Sequence, residues 1–137
     1  MSINNAEVFE VARIMDSLTH LQQIIYRGNV AAGWWKNIKT GEAFAKGDTT
    51  LVLSKLALVH SEVSEAVEGV RKGLMDDHLK ERPMAEVELA DAIIRAFDLA
   101  GHEGWDLAGA IIEKLYYNAQ RADHKIENRL AEGGKKA

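Results

Sequence analysis

A single proline, Pro83, interrupts a sequence in which apolar residues recur at helical spacing over long stretches. Proline is poorly tolerated inside helices, and half-buried strands need a period-two alternation that is scarce here. The pattern therefore predicts an all-α fold, a four-helix bundle. Val8, Val11, Met15, Leu18 and Gln22, with Ala12 and Ile25 alongside, set a first helix over about Ala6–Tyr26. Val52, Leu56, Val59, Val63, Ala66 and Val70 set a second over about Thr50–Lys72, stopped by Gly73. A third begins near Pro83, which suits a first helical turn. It carries Val87, Ala90, Ile94 and Phe97 and ends near Gly101. A fourth, about Trp105–Ala122, is lined by Leu107, Ile111 and Leu115. Residues 1–122 thus form the domain. Residues 123–137 read as a polar tail, mobile or docked on a partner subunit.

Composition narrows the class. A chain of 137 residues is long enough for one domain with a conventional core. It has no cysteine, which removes disulfides, thiolate metal sites and cysteine nucleophiles. The net charge of −4 weighs against a nucleic-acid surface, because neutralising phosphates needs clustered Lys and Arg. Apolar runs fall far short of the ~20 residues that span a bilayer, so no membrane partner is expected. The first residues, MSINNAEVFE, have neither a basic start nor an apolar run, so no secretory signal is read and a cytoplasmic location is expected.

The chemistry lies in two carboxylate pairs. Glu62 and Glu65 sit on the second helix, Glu88 and Asp91 on the third, each pair at i, i+3 spacing and so on one helix face. Each lies beside the apolar stripe. If the two stripes pack antiparallel, four carboxylates converge at the edge of the core, where repulsion and desolvation oppose their ionisation. A hard divalent cation resolves that conflict, and Mg²⁺ or Mn²⁺ takes oxygen ligands completed by substrate phosphates. Any one such pair can equally be a solvated helix face, since the chain holds 21 acidic residues and further examples, such as Glu7 with Glu10.

Three runs, ALVHSEVSEAVEGVRKG (Ala57–Gly73), EVELADAIIRAFDLAG (Glu86–Gly101) and EKLYYNAQR (Glu113–Arg121), resemble the MazG-like nucleotide pyrophosphohydrolases of the all-α NTP pyrophosphatase superfamily, relatives of the dimeric dUTPases. The resemblance covers about Gly33–Arg121. It rests on E-x-x-E and E-x-x-D with 22 residues between Glu65 and Glu88, and on the GWW of Gly33–Trp35. It implies hydrolysis of the α–β phosphoanhydride of a nucleoside triphosphate to monophosphate and pyrophosphate, with two or more Mg²⁺ or Mn²⁺ ions per site. By motif match Glu62, Glu65, Glu88 and Asp91 would hold the metal, and Glu62 would also orient or deprotonate the attacking water.

The resemblance decides between readings that spacing leaves open. Lys114, Asn118 and Arg121 share a face of the fourth helix, which reads as a solvated basic face or as a phosphate contact; the match favours phosphate. Tyr117 adjoins them, for ribose, base or packing. Lys55 is a further phosphate candidate. Trp34 and Trp35 can stack on a base or anchor the long segment Arg27–Thr50; we expect one buried and one at the base. Lys36 and Asn37 can read base edges. Two tryptophans admit a large ring system, which favours a purine such as GTP or dGTP. Arg95 and Asp98 read as a mutual ion pair or as supports for the ligands. Surplus apolar surface predicts a homodimer or homotetramer, in line with the resemblance. A di-metal ferritin-type bundle is disfavoured, because no Glu has His three residues on. The alternative is a non-catalytic nucleotide-binding or helical interaction module of the same fold.

Overall fold

The computed structural model describes residues 5–131 and residue 133. The described residues form α1 (Asn5–Ala31), α2 (Thr49–Lys72), α3 (Met84–Glu103), α4 (Leu107–Gln120), a 3-10 turn (Ala122–His124) and α5 (Ile126–Leu130). They contain no strand, so the all-α expectation holds. No helix among them is long and apolar enough to cross a membrane. The chain divides into two compact units, His20–Trp105 and a second built from the residues on either side of it.

Glycine placement explains where the helices of the first unit end. α1 continues beyond Tyr26, through Gly28, and stops where Gly33 turns left-handed at φ 84°. There the Ala32 and Trp34 N–H groups donate to Gly28 and Asn29 carbonyls at 2.9 and 3.0 Å. α2 begins on Asp48, whose Oδ1 accepts from the Thr50 and Leu51 N–H groups, and ends at Gly73, as its sequence predicts. α3 runs past Gly101 to a left-handed Gly104. Gly101 is a packing glycine. A Cβ there would stand 2.5 Å from Cβ of Tyr26, so only glycine admits α1 this close.

α2 and α3 pack antiparallel, joined by a tight connection. In it the buried Asp76 accepts from the Leu79 and His78 N–H groups, which holds its carboxyl below the usual range. The facing surfaces are small: Ala66 and Gly69 of α2, Ala92 of α3. A Cβ on Gly69 would meet Met84 Cβ at 3.0 Å. Here the stripe expectation needs correction. Leu56, Val63 and Val70 of α2 and Ala90 and Ile94 of α3 are exposed, while Glu62 and Glu88 lie in the buried seam. Close helix approach through small residues, rather than interlocking of the large ones, decides which faces meet.

The segment between α1 and α2 is held by Trp35, which is 4% exposed. Its ring stacks on His102 at 3.8 Å between centroids and meets Tyr26 edge-on. Gly47 N–H donates to Glu103 Oε2 at 2.8 Å, tying the far end of the segment to α3.

In the other unit, Asp106 caps α4 by accepting from the Gly109 N–H at 2.8 Å. Ala108 and Ile112 are buried, while Leu115, of the side expected to be lined by Leu107, Ile111 and Leu115, is exposed. Part of the expected tail is helical. Asn128 Nδ2 donates to the Ala122 carbonyl at 2.6 Å and the chain closes a last helical turn, α5. Residue 132 and residues 134–137 lie outside the described residues.

Candidate metal centre

Antiparallel packing brings the two acidic motifs face to face. One carboxylate oxygen each of Glu62, Glu65 and Glu88 lies within 4.8 Å of the others. Glu62 and Glu88 are 5% and 8% exposed, whereas Glu65 opens to solvent. Asp91, the fourth expected ligand, stands outside this group on the wall of the adjoining pocket.

The electrostatics of the trio are strained. Burial, a hydrogen bond with Glu62 and the charges of Glu65, Glu62 and Asp91 push the Glu88 carboxyl up to about 7. A hydrogen bond between two carboxyls requires a proton on one of them, so Glu88 holds its proton well above the usual carboxylate range. Among the described residues Arg95 supplies the one cation: its Nε donates to Glu62 Oε1 at 2.5 Å. Three carboxylates that repel one another, two of them taken from water, form a hard-oxygen set of the kind Mg²⁺ and Mn²⁺ occupy. The cluster can hold a metal ion.

Beside it opens a pocket of about 240 Å³. α1 gives it Asn29, the following segment Trp34 and α2 Lys55. α3 gives it Asp91, Ile94, Arg95 and Asp98. The two tryptophans have separate places. Trp34 is 66% exposed on this pocket, while Trp35 is buried, with Nε1 donating to Asp98 Oδ1 at 2.8 Å. They do not form a two-sided slot, so the purine argument drawn from the pair loses its footing. Lys55 lies with Nζ 4.4 Å from the centroid of a Trp35 ring.

Other expected positions fall differently. Lys36 is exposed and is not among the described residues that line the pocket. Asn37 turns its side-chain oxygen onto the Lys39 and Thr40 N–H groups of its own turn. Arg95 and Asp98 do not pair with each other; Arg95 takes Glu62 and Asp98 takes Trp35. Lys114, Tyr117 and Asn118 lie on α4 in the other unit, and Arg121 caps its C-terminal end. Lys114 Nζ is 4.6 Å and Arg121 Cζ 6.0 Å from the Tyr117 ring centroid. Arg121 is gripped at both ends by Asp123, which raises its pKa further.

Two participants carry no signal in the sequence. Asn29 was placed beyond the first helix and given no role. His102 matched no ligand pattern and proves to be a core ring, 3% exposed. Asp98 belongs to the pocket, and its signal was its position seven residues after Asp91, two turns along one face. No family model, curated protein or solved structure matches the chain.

Proposed function

We propose that this chain is a metal-dependent nucleoside triphosphate pyrophosphohydrolase of the MazG-like type. The observation that carries the reading is the trio Glu62, Glu65 and Glu88, buried on one side and open on the other, next to a pocket edged by Trp34. Hard-oxygen ligands suit the triphosphate's counterions, and the exposed indole suits a base. The motif residues support the family assignment, and by the same match Lys114, Asn118 and Arg121 are assigned to phosphate oxygens.

On this reading water attacks the α-phosphorus and the bond from that phosphorus to the oxygen bridging to the β-phosphate breaks. The bridging oxygen leaves with pyrophosphate, and the water oxygen stays on the monophosphate. Mg²⁺ or Mn²⁺, when bound, neutralises the phosphate oxygens and acidifies water. The chain's own residues do the rest. Glu62 accepts the proton that the water loses, and Arg95 fixes the Glu62 carboxylate through Oε1. Glu65 and Glu88 hold the cation, and Asp91 completes the anionic wall toward the pocket. Trp34 covers the base. No side-chain nucleophile is required.

The decisive experiment is a panel of NTPs and dNTPs with Mg²⁺ or Mn²⁺, scoring pyrophosphate against orthophosphate. Pyrophosphate is expected, and Glu62→Gln should abolish its release while leaving helix content unchanged. Orthophosphate as the main product, or full activity of the Gln variant, would overturn the assignment.

A further inference from the structure

Resting on the pyrophosphohydrolase reading, we propose that the pocket beside the carboxylates selects a guanine base, with Asp98 as the specificity-determining residue and Lys55 as its counterpart. Asp98 is 7% exposed, and a carboxylate so buried is ordinarily surrounded by donors. Among the described residues one donor reaches it, the Trp35 indole at Oδ1. Arg95, three residues earlier on the same helix, is committed to Glu62. Lys55 lies over the face of Trp35 and forms no ion pair with Asp98. The wall of the pocket therefore keeps an acceptor, Asp98 Oδ2, and a donor, Lys55 Nζ, each open to a ligand.

Trp35 sets their spacing. Its ring edge fixes the carboxylate, its face lies under the ammonium, and its own plane is fixed by the stack on His102. The indole thus holds a positive group over its face and a negative group at its edge, both on the wall of one pocket. A base that satisfies both must offer a carbonyl oxygen next to N–H donors. Adenine has no carbonyl. Uracil and thymine have a single N–H between two carbonyls, one of which would face the carboxylate. Cytosine would turn its unprotonated ring nitrogen there. Guanine has O6, N1–H and the 2-amino group in a row: the carbonyl meets Lys55, and the two donors share Asp98 Oδ2 and the lone pair of Oδ1 that the indole leaves. A paired donor–acceptor contact of this kind discriminates between bases by about tenfold or more. A site whose buried polar group is left unpaired rejects the wrong ligand more strongly still.

The test needs no turnover. Binding of GMP, AMP, CMP, UMP and XMP to the full chain is measured by calorimetry. GMP is expected to bind at least about tenfold more tightly than AMP, CMP or UMP. Asp98→Asn keeps an oxygen for the Trp35 indole and turns an amide N–H₂ toward the ligand, which opposes the 2-amino group and donates to a C2 carbonyl. XMP should then overtake GMP. Should that variant not fold, Lys55→Met serves instead and should erase the preference of GMP over AMP. Equal affinities in the natural protein, or an unchanged order in Asp98→Asn, would overturn the guanine assignment. Pyrophosphate assays on the same samples separate the two claims. Turnover without base preference sinks only the guanine pocket, and selective GMP binding without turnover on any nucleotide sinks only the hydrolase.

Discussion

Arg95 and Glu62 meet across the α2–α3 seam, guanidinium Nε to carboxylate Oε1 at 2.5 Å, with Glu62 buried and Arg95 about half exposed. Among the described residues Arg95 is the one cation paired with the three clustered carboxylates. Removing it leaves Glu62 buried beside Glu65 and Glu88 without a counter-charge. Such a loss falls between the small effect of a surface pair and the larger effect of breaking a buried one. Arg95→Met should therefore destabilise the metal-free protein by about 2 kcal/mol in urea unfolding. Saturating Mg²⁺ should recover more stability in the variant than in the natural protein, because the cation then replaces the missing charge. A variant of unchanged metal-free stability would show that the pair carries no such load.

The raised Glu88 carboxyl fixes a pH dependence. Its pKa climbs from 4.5 to about 7 in the folded chain, so between these values the folded state binds more protons than the unfolded one. Stability contributed by this group is therefore complete below pH 4.5 and is lost as pH rises through 7. The melting temperature of metal-free protein should fall across that window, and Glu88→Gln should flatten the decline. A profile measured with and without chelator checks the sign.

Metal binding should oppose that decline. A cation that binds only the folded state stabilises it by about 2.7 kcal/mol at one hundred times its dissociation constant. Binding must displace the Glu88 proton, so the stabilisation by Mn²⁺ should grow from pH 5.5 to pH 8. Glu65→Gln should weaken Mn²⁺ uptake with little loss of stability, since Glu65 is exposed. Titration calorimetry in two buffers of different ionisation enthalpy would count the released proton.

The all-α class, Gly73 at the end of α2, and the acidic motifs were legible because each is a local signal: a period, a cap, a spacing. What was not legible depends on the partner element. Gly101 and Gly104 look alike in one dimension, and only the approach of Tyr26 makes the first a packing residue. Leu56 and Val63 read as core because they are apolar and periodic, yet α2 turns Glu62, Ala66 and Gly69 inward. Asp98 and Arg95 read as partners because they are three apart, while stronger partners on other elements, Trp35 and Glu62, claim them. Trp34 and Trp35 are identical in type and adjacent in sequence, so nothing local could assign one to the core and the other to the pocket.

That division gives a paired prediction. Trp35→Ala removes a buried ring, its stack on His102 and the hydrogen bond to Asp98, and should cost about 3–5 kcal/mol. Trp34→Ala removes an exposed ring and should leave stability within about 0.5 kcal/mol. Its effect should appear instead as weaker nucleotide binding, by about 1–3 kcal/mol if the indole stacks on the base. Equal stability losses in the two variants would contradict the placement.

The exposed side of α2 carries its own expectation. Leu53, Leu56, His60, Val63, Val67 and Val70 follow one another at spacings of three and four, the seam of a helix that packs lengthwise on another. Each of the five apolar members is at least 44% exposed, and Leu89 and Ile93 of α3 are exposed as well. Ala57 and Ser64 flank the seam without charge, which lets a second helix approach. A surface of this kind on a chain with net charge of only −4 favours self-association, so a second copy of the chain is the expected partner. Sedimentation at micromolar concentration should show a dimer or tetramer. Val67→Asp places a charge in the middle of the seam and should shift the population to monomer while helix content is kept. A natural protein that sediments as a monomer would leave this face without the partner assigned to it.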